Sequence, residues 1–140
     1  MKKKAINTIK RQTFSLLEIM VVLVIMGIVL SFAVPSYQGS IERSKGKIAS
    51  LTLVSIYNAQ KRHKLDNMGV YYICDPCSKQ SIKLNLGINI DDKFFDYTIT
   101  ASVTGGFNAT ATRHDEGLCA NEQMFVTEIR GRIGQTCDFW

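Results

Sequence analysis

Phe14 to Pro35 reads FSLLEIMVVLVIMGIVLSFAVP and carries one charged residue, Glu18, among otherwise apolar or small side chains. At about 1.5 Å of rise per helical residue, the stretch is long enough to cross a hydrocarbon core of about 30 Å. A helix this long and this apolar has no place inside the core of a 140-residue domain. It either enters a bilayer or packs against copies of itself. Glu18 is the anomaly. An unpaired carboxylate within a bilayer costs about 2.5–3.5 kcal/mol even on permissive insertion scales, so Glu18 calls for a partner unless it lies shallow enough to reach the headgroups.

The thirteen residues before this run, MKKKAINTIKRQT, hold Lys2, Lys3, Lys4, Lys10 and Arg11 and no acid. The chain has 17 basic and 12 acidic residues, a net charge of +5. Five of the basic residues are in that leader, and the rest of the chain is balanced. The excess therefore sets topology, keeping the N-terminus in the cytoplasm by the positive-inside rule, and says little about binding partners. A secretory signal peptide is the competing interpretation, with Ser31-Phe32-Ala33 as a small-x-small cleavage site. Against it stand the length of the apolar run, the carboxylate at its head and Pro35 just past the cut. On either reading the C-terminal part leaves the cytoplasm, where its four cysteines can form disulfides.

A basic leader, a phenylalanine, a glutamate four residues on and then an apolar helix resemble the prepilin signature of type IV pilins and pseudopilins. The resemblance is specific over about residues 10–60 and architectural beyond them. It implies an α+β, pilin-like fold: one long N-terminal helix, with a membrane-embedded half and an amphipathic half, packed on a small antiparallel β-meander. The chain would divide into a leader (1–13), a hydrophobic transmembrane and assembly helix (14–35), and an amphipathic helix with a β-sheet head (36–140). Prepilin peptidase is an implied partner, cutting between Thr13 and Phe14 and methylating the new amine of Phe14. The family normally has Gly, less often Ala or Ser, where this chain has Thr13, a stiffer β-branched residue that bears on the efficiency of the cut. Glu18 would be the fifth residue of the mature chain. There it pairs with a neighbour's N-terminal ammonium, so that a misregistered subunit leaves a charge unpaired. Gly27 and Pro35 match two further family positions that weaken the helix backbone.

The other implied partners are pilin subunits in a helical filament and an inner-membrane assembly machinery. The implied path runs from a single-pass inner-membrane protein to an extracellular pilus. Within the family, the LLEIMVVLVIMGIVLSFAVPSYQ block and the cysteine-bracketed end resemble a type IV pilin, of a minor kind, more than a secretion pseudopilin. A type II secretion pseudopilin and a DNA-uptake subunit are the alternatives. Motility, adhesion, uptake and secretion all remain open at this point.

Beyond the apolar run the helical pattern continues. Pro35 lacks an N–H to bond the carbonyl of Ser31, which predicts a kink there, and helix formers resume at once. Ile41, Ile48, Leu51, Val54, Ala59 and Leu65 recur at roughly helical spacing and form the expected buried face. Asn67-Met68-Gly69 should close a helix of about fifty residues, with Gly69 as a left-handed cap. An irregular connection is expected over 70–93. Phe95, Tyr97, Ile99, Ala101 and Val103 then alternate with polar residues, which predicts a strand. Gly105-Gly106 turns it into a second strand, Phe107 to Arg113. Met124 to Ile133 reads as a third, and the tail GQTCDFW covers the sheet.

Cys74-Asp75-Pro76-Cys77 has the CxxC spacing of thiol oxidoreductases and zinc knuckles. It lacks the strand-to-helix setting of the first and the second close cysteine pair of the second. No metal or other cofactor is expected, nor any catalytic residue: no nucleophile triad, phosphate loop or paired carboxylates appear. Four cysteines allow three pairings. The pairing favoured alongside the resemblance is Cys119–Cys137, the disulfide-bounded C-terminal loop of many pilins, with Cys74–Cys77. The longer loop would stabilise by about 3 kcal/mol in the chain-entropy model. Lys61, Arg62 and Lys64 form the densest basic patch, a candidate DNA contact for the uptake alternative. The plainer account of the patch is favourable placement of cations at a helix C-terminus. Arg113, Arg130 and Arg132 read as solvated strand residues.

Overall fold

A computed structural model describes residues 15–114, 117–129 and 131–140. Thr13 and Phe14, the expected processing site, and Arg130 lie outside the described residues. Helix α1 spans Leu16–Asp66, followed by β1 (Cys74–Cys77), α2 (Lys79–Leu86), β2 (Phe95–Ala101), β3 (Phe107–Arg113), β4 (Gln123–Thr127) and β5 (Ile133–Gln135). Contacts divide the chain into two units between Ser36 and Tyr37, so α1 contributes to both. This is an α+β, pilin-like architecture with one long N-terminal helix and a small antiparallel sheet.

In the first unit, α1 from Leu16 to Val34 buries no side chain. Pro35 falls inside α1, so the helix does not end there. Ser31, a polar residue in an apolar run, returns its hydroxyl to the carbonyl of Ile28 at 2.7 Å and so needs no outside partner.

The second unit is the head. Its five strands lie in sequence order, β1-β2-β3-β4-β5, each antiparallel to the next. Inward positions along β2 and β3 alternate as period two demands: Phe95, Tyr97 and Ile99 against Phe107, Ala109 and Ala111. Tyr97 pairs with Ala111 and Ile99 with Ala109, while Met124 and Val126 of β4 face the same two alanines. Ala109 and Ala111 at the centre of the sheet belong to the same buried core as Ala49, Leu53, Ile56 and Ala59 of α1.

The buried face of α1 agrees with the expected one at Ala59 and departs from it at Ile48, Leu51, Val54 and Leu65. Ala49, Leu53, Ile56, Ala59 and Gln60 are buried, whereas Ile48, Leu51, Val54 and Leu65 are exposed. The apolar residues at successive three-residue steps drift round the helix, while spacings of four and three hold 49, 53 and 56 on one line. Gln60 is buried on that line with both ends of its amide bonded: Nε2 donates to the Tyr72 carbonyl at 2.6 Å and Oε1 accepts from the Tyr72 N–H at 3.0 Å. That clasp turns the chain back after α1, whose end is marked by Met68 and Gly69 at φ 52° and 89°.

Two other expectations change. The connection after α1 is ordered by β1 and α2. Ser78 caps α2 by accepting from the Ser81 N–H at 3.0 Å, and Gly87 closes it in the left-handed region at φ 70°. The single expected strand from Met124 to Ile133 is two strands, because the Gly131 N–H bonds the Thr127 carbonyl at 3.1 Å with φ 57° and reverses the chain. Phe125 then faces Gly134 across β4 and β5, and its ring occupies the space a side chain there would need.

Candidate functional site

The functional surface of the first unit is α1 itself. Its apolar run from Leu16 to Val34 contains no buried residue. Leu16, Leu17, Met20, Leu23 and Phe32 are all exposed by more than half. Water would not leave such a surface bare, since each fully buried Leu, Ile or Val stabilises by roughly 1.5–3 kcal/mol. Glu18 sits in the first turn, the favourable end of the helix dipole for a carboxylate. Among the described residues no cation lies within ion-pair distance of Glu18. Around Gly27 a side chain would meet nothing within 4 Å, so the glycine is not required by packing within the chain.

In the head, the end of α1 carries the basic patch. Lys61 and Lys64 both reach Glu128 Oε1, each at 3.4 Å. Lys64 Nζ also donates to the Tyr71 hydroxyl at 2.9 Å, and the Tyr71 hydroxyl donates to Glu128. The bond to Tyr71 holds the Lys64 pKa above its ordinary value, against the opposing effect of desolvation and with Glu128 adding to the rise. The same hydroxyl, then Lys64 and Lys61, holds Glu128 below the ordinary carboxylate range. Arg62 points elsewhere, into an open groove of about 420 Å³ with His63, Asp66 and Asn85. The three residues therefore do not form one cationic face: two are engaged by Glu128.

At the other end of the head lies a pair that the sequence did not reveal. Arg113 is fully buried, not solvated, and its Nη2 donates to Glu42 Oε1 at 3.2 Å. Lys45 approaches the same carboxylate at 3.6 Å. The Arg113 guanidinium lies 5.5 Å and 5.7 Å from the ring centroids of Phe94 and Phe95. The pair ties α1 to the end of β3. Its signal was available: Phe107, Ala109, Ala111 and Arg113 form one period-two series, which makes Arg113 an inward position.

Asp92 organises the start of β2. Its Oδ1 accepts from the N–H groups of Phe94 and Phe95, and its Oδ2 from the Tyr97 hydroxyl at 2.6 Å. Burial, and then that bond to Asp92, pushes the Tyr97 hydroxyl well above its ordinary pKa. The cysteines form two disulfides, Cys74–Cys77 at the β1 edge of the sheet and Cys119–Cys137. Cys119 and Cys137 are buried, and the pair joins the loop after β3 to the C-terminal tail. The CxxC is thus oxidised and lies in a strand. No group of three or more metal-ligating side chains occurs among the described residues.

Residues 10–34 match the family model described as the prokaryotic N-terminal methylation motif. The N-terminal part of this chain is of the prepilin kind. Among curated proteins, the chain is similar to the type II secretion system core protein G of Vibrio cholerae serotype O1, with 45% identity over 58 residues, 41% of this chain and 40% of that protein. The proteins of the same name from Escherichia coli K12 and Aeromonas hydrophila are 43% identical over 60 residues and 44% over 59, each covered to 41% of its length. The chain thus aligns with about two fifths of these relatives. No solved structure matches it. The motif and the exposed apolar helix together fit a single-pass protein of the inner membrane.

Proposed function

We propose that this chain is a non-enzymatic structural subunit of a pilin-like filament. It is held in the inner membrane by residues 16–34 and assembled through the same surface. The observation that carries this is an exposed apolar helix run with no buried residue and one carboxylate, Glu18, at its head. Moving that surface from lipid to neighbouring subunits exchanges one apolar environment for another at little net cost. The carboxylate then supplies register, because a subunit seated wrongly leaves it without the neighbour's ammonium. Prepilin peptidase cuts at Thr13–Phe14 and so creates that ammonium on Phe14.

Within the family the proposal is a pseudopilin of the secretion type, in place of the minor pilin that the sequence favoured. The support is that the curated relatives named above are all core protein G of type II secretion systems. Deleting the gene in its host should then impair type II secretion, with surface pili and twitching unchanged. A loss of pili or motility with normal export would reverse the choice. Intact-mass measurement tests the processing step: the chain should lack its first thirteen residues and carry a methyl group on Phe14. Recovery of full-length chain alone from a host with active peptidase would sink it. Thr13→Gly should speed the cut.

A further inference from the structure

We propose that Cys74–Cys77 is a thiol–disulfide exchange site, opened by a dithiol protein of the oxidoreductase kind while the head stays folded and Cys119–Cys137 stays closed. The inference concerns the head alone and is independent of the reading of residues 16–34.

The two disulfides differ first in access. Cys119 and Cys137 are 0% and 5% exposed. Cys74 and Cys77 are only partly buried, and Asp75 and Pro76 between them are exposed. Exchange begins when a thiolate reaches one sulfur of the bond, so access decides which disulfide reacts in the folded head.

They differ next in what they hold together. Cys119–Cys137 spans 18 positions, whereas Cys74–Cys77 spans 3 and lies within one strand. The loop-closure entropy that a bridge removes from the unfolded chain grows with its span, so the short bridge contributes the less to stability.

Strand β1 is also anchored without its bridge. It is an edge strand, paired to β2 through Cys74 with Ile99 and Cys77 with Tyr97. Just before it, Gln60 clasps both backbone groups of Tyr72. Just after it, Ser78 caps α2, whose Ile82 and Leu86 are buried in the core. Breaking the S–S bond therefore leaves the chain fixed on either side.

The reduced form has a partner waiting for its new proton. Cys77 Sγ lies 2.8 Å from the Cys74 carbonyl oxygen. A thiolate of the dithiol protein attacks Cys74 Sγ, the bond to Cys77 breaks, and its electron pair leaves on Cys77 Sγ. That sulfur takes up a proton, and the S–H donates to the Cys74 carbonyl. The second thiolate of the dithiol protein then attacks its own first sulfur in the mixed disulfide, and Cys74 leaves and is protonated. The dithiol is oxidised to a disulfide as Cys74–Cys77 is reduced to two thiols, and the same steps in reverse close it again.

The test treats the full chain in micelles, without urea, with dithiothreitol or with reduced thioredoxin. Samples are quenched over time with N-ethylmaleimide and mapped by mass spectrometry. With either reductant Cys74 and Cys77 should be labelled at least roughly tenfold faster than Cys119 and Cys137, which wait for the head to open. The near-ultraviolet circular dichroism of the head should hold steady meanwhile. Labelling of all four cysteines together, or of none until urea opens the head, would make both bridges structural and overturn the proposal. Reduction by dithiothreitol but not by thioredoxin would overturn it too, since the site would then be closed to a protein. The double variant Cys74→Ser with Cys77→Ser should keep the folded spectrum and nearly the parent urea midpoint. Loss of the folded head in that variant would show that β1 needs its bridge, and would sink the idea.

Discussion

Glu18 and Glu42 are carboxylates on one helix, and their surroundings are opposites. Glu42 is buried and bonded to Arg113 within the head. Glu18 stands in an exposed apolar run with no cation near it among the described residues. The head completes its own electrostatics and packing, whereas the apolar run leaves both to be completed from outside. A buried ion pair is weak evidence for stability in itself, but losing one partner of it is costly. The same reasoning applied to Glu18 places its cost in assembly and not in folding.

The sharpest way to break this contrast is to neutralise each carboxylate in turn in the full chain. Glu42→Leu removes the Glu42 carboxylate from the buried Arg113 guanidinium, and should destabilise the head by up to about 3–5 kcal/mol in urea titrations in micelles. Adding Arg113→Met should recover most of that loss, because well-packed apolar replacements of a buried pair are often neutral. Glu18→Val should leave head stability within about 0.5 kcal/mol, as for a surface substitution away from packed features. Its effect should appear in filaments: the variant accumulates in the membrane and its incorporation falls sharply. Were Glu18→Val to assemble as well as the parent chain, the charge would be incidental and the run a plain anchor.

The two helix glycines sharpen the contrast at smaller scale. A side chain on Gly46 would begin 2.6 Å from Trp140 Cδ1, so Gly46→Ala must displace the ring and should cost about 1–3 kcal/mol by overpacking. Gly27 has open space around it. Gly27→Ala should therefore raise helix content in micelles, consistent with a propensity gain of about 1 kcal/mol, and leave the unfolding of the head unchanged. A destabilised head in Gly27→Ala would mean that the two regions are coupled.

Much of this division was legible in the sequence, because its signals are local. An apolar run with a single charge, the β2–β3 alternation around Gly105-Gly106 and the cap at Gly69 each depend on neighbouring residues. What was missed depends on residues far apart in the chain. The buried line of α1 is settled by the sheet it packs on: Ala49, Leu53, Ile56 and Ala59 share the core with Ala109 and Ala111, while Leu51 and Val54 are exposed. Arg113 looked like a surface cation because Glu42, 71 positions away, carries no mark of its role. Helix α2 is eight residues long, too short for periodicity to establish, although its caps, Ser78 and Gly87, were in plain view.

The smallest expected effect concerns Glu128 and its three partners, and it bears on the basic patch. Glu128 is held below its ordinary pKa, so its contribution is present above about pH 5 and is lost as acid titrates it through the lowered value. Lys64 is held above its ordinary value, so its contribution is present below about pH 10 and is lost as base titrates it through the raised one. The cluster should thus give head stability a plateau between those limits, of modest height because the groups are near solvent. Glu128→Gln should lower that plateau slightly and flatten both edges, read from melting temperatures of the full chain across the pH range. An unchanged acid edge would assign it to other carboxylates. The same variant interrogates DNA binding, since it releases Lys61 and Lys64. If phosphate contact is a latent property of the patch, Glu128→Gln should retain duplex DNA at low salt better than the parent chain and lose it steeply as salt rises. If the two bind equally poorly, the lysines serve the head alone, which is the outcome expected from their shared hold on Glu128.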